Sequence, residues 1–283
     1  MIFRRQPALR GAGQPRPEES LADLFHENTK LRRATIMAAD GPDEYGVREL
    51  EAMARAYKRY RLHPQLPLPR VPAGAIGPPL AEVIAARRSK RNFASRQLEL
   101  AEVSAIMQWS YGVTGEMGIA GGGVQRFRAV PSAGALYPAE IYLGVRAVRG
   151  LEAGIYHYEV PENSLALLSR GNPADRLHKV CCGQEYARQA AMVVLISAVI
   201  ERTKRKYGDR GYRYVLLDIG HLGQNLYLAC TALGLAIMTT CGFFDDEAAD
   251  FLGIDGCDEA VFYVAFIGGN ADCELPRHPQ LPG

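Results

Sequence analysis

Three short stretches carry residue types that could do chemistry. The first is Arg87-Arg88-Ser89-Lys90-Arg91, followed by Asn92-Phe93. Guanidinium forks beside a hydroxyl hold a terminal phosphate through paired, charge-assisted hydrogen bonds. A solvated basic turn is the plainer alternative, since short basic runs are common. The second is Pro131-Ser132-Ala133-Gly134-Ala135-Leu136-Tyr137-Pro138. Small residues there let backbone N–H groups come close to a ligand, and the flanking prolines fix the loop, although an ordinary Gly/Pro turn has the same composition. The third is Lys206-Tyr207, beside Arg205, Arg210 and Arg213. A free lysine titrates at about 10.4 and a free tyrosine at about 10, so neither is a good base unperturbed. Neighbouring cations favour a neutral amine and a phenolate, which moves both in the useful direction. A solvated basic loop is again the bland alternative.

Other chemistries have weaker support. Asp218, His221 and Asn225 share a helical face, with Gln224 beside them. No Ser or Cys nucleophile lies near this His/Asp pair in sequence, so a hydrogen-bonded helix interior explains it better than hydrolysis does. Neither Gly11-Ala12-Gly13 nor Gly121-Gly122-Gly123 follows a strand and opens a helix, which argues against Rossmann and P-loop binding. The six cysteines (Cys181, Cys182, Cys230, Cys241, Cys257 and Cys273) form no CxxC pair, and no His lies at zinc-ligand spacing from them. No metal is expected.

The elements that must position these groups are organised around residues 212–233. Val215, Ile219, Leu222, Leu226, Ala229 and Leu233 recur there at spacings of four and three, which predicts a buried spine helix about 33 Å long. Lys206 and Tyr207 read as the cap ahead of it. Gly220 and Gly223 cost up to about 1 kcal/mol each inside a helix, which suggests that another backbone or a flat ligand comes close. Gly234 falls where a left-handed cap is expected. Residues 1–20 read as a tail, and 21–34 and 47–61 as short helices. The six prolines between 64 and 79 make that stretch an extended strap. Helices are expected over 80–87, 98–112, 175–189 and 246–252, the last capped by Asp245 or Asp246 and closed by Gly253. Strands are expected over 141–148, 154–160, 164–169, 191–200, 235–240 and 261–267, and the Gly-rich 115–123 as a loop. Strands in meanders and strands separated by helices together predict an α+β domain with a mainly antiparallel sheet. The expected division is 1–78 as tail, helices and arm, 79–270 as the main domain, and 271–283 as a tail.

A composition of 48% hydrophobic and 23% charged residues is that of a globular protein. A net charge of +2 argues against binding nucleic acid by charge alone. There is no apolar run of 18 residues and no secretory core after Arg4-Arg5, so a reduced cytoplasmic protein without a membrane span is expected.

Taken in order and spacing, RRSKRNF (87–93), PSAGALYP (131–138), KYGDRGYRY (206–214), GHLGQNLYLACTALGL (220–235) and CGFFDDE (241–247) resemble the nitroreductase-like flavoproteins, in particular the SagB-type dehydrogenases. FHENTK (25–30) and the proline-rich arm are similar, less specifically, to the N-terminal extension of stand-alone SagB-type proteins. The resemblance implies an α+β homodimer with FMN at the subunit interface. Arg87, Arg88, Ser89 and Arg91 would hold its phosphate and ribityl chain. Pro131, Ser132, Ala133 and Gly134 would line the ring system, with Cys241 and Gly242 on its other side. Gln224 and Asn225 would support it from the spine, and Arg277 is a candidate late basic residue. The KY pair matches positions that act in azoline oxidases, which dehydrogenate a thiazoline or oxazoline in a peptide to the azole. Nothing in the chain resembles a cyclodehydratase, so the azoline would come from a partner enzyme. An NAD(P)H-dependent nitro or quinone reductase, and a flavin-holding or partner-binding protein without turnover, are the competing expectations.

Overall fold

The computed structural model describes residues 20–31, 52–53, 56–72, 74, 77–119 and 123–272. The chain divides into two compact units, Met1–Glu44 and Tyr45–Gly283. In the first, helix α1 (Leu21–Asn28) begins where Ser20 Oγ accepts a hydrogen bond from Asp23 N at 3.1 Å and stops at Thr29. It is shorter than the helix expected over 21–34.

The second unit is built on one antiparallel sheet. Its strands are β1 (Gln65–Pro67), β2 (Phe93–Ala94), β6 (Ala139–Val145), β8 (Gly154–Glu159), β9 (Ser164–Arg170), β10 (Met192–Val199), β11 (Leu235–Thr240) and β12 (Glu259–Asn270). The order across the sheet is β1-β9-β8-β6-β10-β12-β11, with β2 on the far end of β12. Two short pairs lie apart from it, β3 (Leu98–Glu99) with β7 (Val148–Arg149), and β4 (Val113–Gly118) with β5 (Val124–Arg128).

Strand β10 is apolar on both faces, and successive side chains on a strand point to opposite sides. Val194 and Ile196 therefore join one core, shared with α3 (Leu100–Tyr111) and α7 (Gly211–Ala232). Val193 and Leu195 join another, under α4 (Ala174–Val180), α5 (Tyr186–Gln189) and α8 (Asp245–Leu252). Helix α2 (Leu80–Ala86) packs along α7. The 22-residue α7 is the expected spine, with Val215, Ile219, Leu222 and Leu226 buried, and Gly234 has the left-handed φ of 68°.

The proline-rich arm is a strap. β1 pairs with β9, Leu68 and Val71 are buried, and the Gln108 side chain binds both backbone groups of Val71. Just before it, Lys58 bonds to Glu259 at 2.5 Å and to Tyr142 Oη at 2.7 Å, which ties the segment to the sheet.

Several expectations are corrected. Residues 56–60 are not helical and 61–63 turn, so the helix expected over 47–61 does not run to its end; residues 47–51 and 54–55 lie outside the described set. The Gly-rich 115–123 is not wholly a loop, because its first residues pair with β5 as a hairpin. The helix expected over 175–189 breaks at Cys182 and Gly183, whose φ angles are 55° and 72°. Neither Asp245 nor Asp246 caps α8; Phe244 holds that position, while Gly253 closes the helix at φ 69°.

Gly223 is explained by a side chain and not by a backbone or ligand: a Cβ there would lie 2.6 Å from Tyr263 Cε1. At Gly220 a Cβ would meet nothing within 4 Å, so no close neighbour within the chain explains that glycine. Gly223→Ala is therefore expected to destabilise the unit by about 1–3 kcal/mol through overpacking, read as a lowered urea midpoint at unchanged m-value.

Candidate active site

The Lys206-Tyr207 pair does not open the spine, as its sequence position suggested. It ends a separate helix, α6 (Glu201–Tyr207), which closes at Gly208 with φ 56°. A single 3-10 turn (Gly208–Arg210) then leads into α7. Tyr207 packs edge-on against Tyr214 of α7, with ring centroids 4.9 Å apart, and Arg210 Nε donates to Tyr214 Oη at 3.0 Å.

The PSAGALYP loop faces this corner. It forms a 3-10 turn over Ala133–Ala135, and Gly134, Ala135 and Tyr137 have φ angles of 61°, 52° and 46°. Two non-glycine residues in the left-handed region store strain, which persists only where surrounding contacts over-determine it. The contacts are specific. Ser132 Oγ donates to Asp218 Oδ2 at 2.5 Å and accepts from Tyr137 N at 2.9 Å. Tyr137 Oη accepts from Arg128 N at 3.0 Å, and Gln125 Nε2 donates to Ala135 O at 3.2 Å. A Cβ on Gly134 would lie 2.8 Å from Tyr207 Oη and 3.0 Å from Lys206 Nζ. Two stretches some 70 residues apart in sequence are thus in contact, with only a glycine's width between them.

The basic turn is held to the opposite end of the spine. Ser89 Oγ lies 2.8 Å from Tyr227 Oη, which is 3.1 Å from Thr239 Oγ1 on β11. The Arg87 guanidinium stacks over the Tyr227 ring at 5.2 Å, and Lys90 N donates to Ile237 O. Arg88 and Arg91 are exposed. Arg88, Lys90 and Asn270 line a small recess beside the end of α7, and Asn270 Nδ2 is buried with no partner among the described residues. Guanidinium, ammonium, hydroxyl and an orphaned amide make a donor set suited to a phosphate.

The remaining candidates follow β11, sit on α7 or open the PSAGALYP loop. Gly242 N donates to Thr240 Oγ1 and its carbonyl accepts from Gln184 Nε2, while Cys241 is exposed as a residue but its thiol is partly withdrawn from water, which pushes it up. Gln224 is exposed on α7, and Pro131 is exposed at the start of its loop. Asn225 turns inward, its amide donating to Ala129 O at 3.0 Å and Ser110 O at 3.4 Å, so it fixes the backbone two residues ahead of that loop. Arg277 lies outside the described residues.

Sequence reasoning did not find the buried charges behind the corner. Glu140 of β6 bonds Arg202 of α6 at 2.5 Å and His157 of β8 at 2.8 Å, all three buried. Burial alone would raise the Glu140 carboxyl, but Arg202 and then His157 overcome it and hold it down at about 2. Arg128 is buried among the rings of Tyr57, Tyr111 and Tyr137, with Nε and Nη1 unpartnered among the described residues. The only advance signal was Arg202, a member of the basic run that precedes α7, and its partners Glu140 and Tyr137 are remote in sequence. Asp218 is raised by burial, against the lowering influence of Ser132 and Ala133 N–H.

Residues 84–269 match the sequence profile of the nitroreductase family, and this chain belongs to that family. Its class is that of oxidoreductases. A Methanocaldococcus jannaschii protein named as a nitroreductase is 41% identical over 175 residues, covering 62% of this chain and 84% of that protein. The microcin B17-processing protein McbC of Escherichia coli is 29% identical over 146 residues, 50% of this chain and 54% of McbC. A crystal structure from Anabaena variabilis, also named as a nitroreductase, superposes with a TM-score of 0.68 at 28% identity, covering 92% of this chain and 49% of that one. The chain thus spans about half the length of the last two. Among the described residues no helix is long and apolar enough to cross a membrane.

The depressed Glu140 carboxyl fixes a pH dependence. Its unfolded value is about 4.3, so its stabilising contribution is present above that pH and is lost as pH falls toward about 2. Glu140→Gln, which leaves Arg202 buried and uncompensated, should cost about 3–5 kcal/mol at neutral pH. The difference from wild type should shrink as denaturation is measured at progressively lower pH.

Proposed function

We propose that this chain is an FMN-dependent oxidoreductase of SagB type that dehydrogenates a peptide thiazoline or oxazoline to the azole. The observation that carries this reading is the contact of Gly134 with Lys206 Nζ and Tyr207 Oη. It joins a loop suited to the face of a flat ligand to a pair suited to moving a proton. The name of McbC as a processing protein of a peptide microcin supports a peptide substrate.

In this reading Arg87, Arg88, Ser89 and Arg91 hold the phosphate and ribityl chain. Pro131, Ser132, Ala133 and Gly134 line one side of the ring system, and Cys241 and Gly242 line the other. Gln224 supports it from α7, and Asn225 acts through the backbone at Ala129. When bound, flavin supplies the acceptance of a hydride. Lys206 Nζ removes the proton from the substrate's ring carbon, and Tyr207 Oη, beside it at Gly134, orients the substrate and shares the proton. The strained turn at Gly134 keeps both groups at the same face. Leu216 and Leu217, exposed on α7, and Leu80 and Ile84, exposed on α2, support association with a second copy.

Lys206→Ala and Tyr207→Phe are each expected to cut azole formation by at least about a hundredfold while the purified proteins stay yellow. Full activity in the double variant would refute the assignment. Gly134→Ala should cost about 1–2 kcal/mol in stability, from the left-handed φ, and should lower kcat strongly by pushing the pair aside. A second reading, an NAD(P)H-dependent nitro or quinone reductase, is favoured by the higher identity of the Methanocaldococcus jannaschii relative. Bleaching of the flavin by NADPH in stopped flow would support it, and its absence at saturating NADPH would count against it.

A further inference from the structure

We infer that Arg202 is the positioning residue of the Lys206–Tyr207 pair, a reading that deepens the proposed function and rests on it for the pair's catalytic role. Arg202 precedes Lys206 by four residues, one turn of α6. Its guanidinium is buried, bonds Glu140 Oε1 at 2.5 Å and donates to Tyr137 O at 3.3 Å. Glu140 belongs to the central strand β6 and is held in turn by His157 of β8. Tyr137 is the residue that closes the strained loop, and the next residue's carbonyl, Pro138 O, accepts from Val199 N at the end of β10. One side chain therefore grips both things that must stay in register: the helix that carries the pair, and the loop whose Gly134 meets it.

Both contacts run through one nitrogen, Nη1, so a single buried cationic donor joins the carboxylate to the carbonyl, and a lysine ammonium, with its three donors, can make the same two bonds. On the far side of the loop, Asp218 of α7 holds Ser132 Oγ. The loop is thus pinned at Ser132 and at Tyr137, near its two ends, by two different helices, and of these two pins the one from Arg202 also anchors α6.

The test compares Arg202→Gln and Arg202→Lys in the flavin-loaded protein, using limited acetylation at mildly alkaline pH and peptide mass mapping. Lys204, on the same helix, and Lys179, on α4, serve as internal references. The ratio of Lys206 to Lys204 labelling should rise in Arg202→Gln on the order of tenfold, the factor that loss of one charge-assisted hydrogen bond brings. Arg202→Lys should restore most of it. General loosening would raise all three lysines together and leave the ratio unchanged. An unchanged ratio in folded, flavin-retaining Arg202→Gln overturns the inference.

Where that variant does not fold, the neutral pair Arg202→Gln with Glu140→Gln leaves no uncompensated buried charge. The same rise or its absence decides the matter there. Because labelling needs no azoline, a failed activity prediction for Lys206 and a failed positioning role for Arg202 are separately visible.

Discussion

The whole second unit depends on one constraint, a central antiparallel sheet that is apolar on both faces. Antiparallel sheets often leave one face to water. Here β6 is buried along its entire length, β10 along all but its last residue, and β12 along most of its length. Both faces must be covered, and helices cover them. The longest helix among the described residues, α7, lies across the face shared with α3, and its Asp218 holds Ser132 of the loop that leads into β6. That placement brings the α6–α7 corner and the PSAGALYP loop together, because the loop feeds directly into β6.

The buried carboxylates inside this frame are paired. Burying a carboxylate or a guanidinium costs several kcal/mol unless partners restore what water gave. Glu140 with Arg202 and His157, Glu259 with Lys58, Tyr142 and Ser197, and Asp218 with Ser132 meet that condition. An apolar core could be as stable, but it would not fix one loop conformation. Directional bonds do fix it, and three left-handed residues between Ser132 and Pro138 require such fixing. Arg128 stands apart: its charge is met mainly by aromatic faces, a weaker but adaptable partner.

Much of this was legible beforehand. The spine over 212–233 differs from α7 by a residue at each end, and 191–200 is the buried strand β10. Both are long and strongly patterned, so local periodicity decides them. The breaks were not legible. LHKVCCGQEYARQ reads as one helix until Cys182 and Gly183 adopt positive φ, which a non-glycine residue does only under tertiary constraint. The hairpin of β4 and β5 was hidden by its glycines, two of which, Gly115 and Gly118, sit at paired positions opposite Phe127 and Val124. Lys206 and Tyr207 were singled out, but their helix was not, since its seven residues carry no periodic apolar stripe.

By itself the sequence determined the fold class, the buried spine, and the residue types that could hold a phosphate or move a proton. These follow from chemistry and short-range spacing, which one chain displays in full. Tertiary structure decided which of those residues meet. Gly134 reaches Lys206 and Tyr207, Asn225 turns inward, and Arg202 becomes a buried anchor where it had been one cation in a run. The reason is physical: hydrogen bonds and ion pairs between residues tens of positions apart leave no periodic trace in the chain. Only folding onto the sheet brings them within bonding distance.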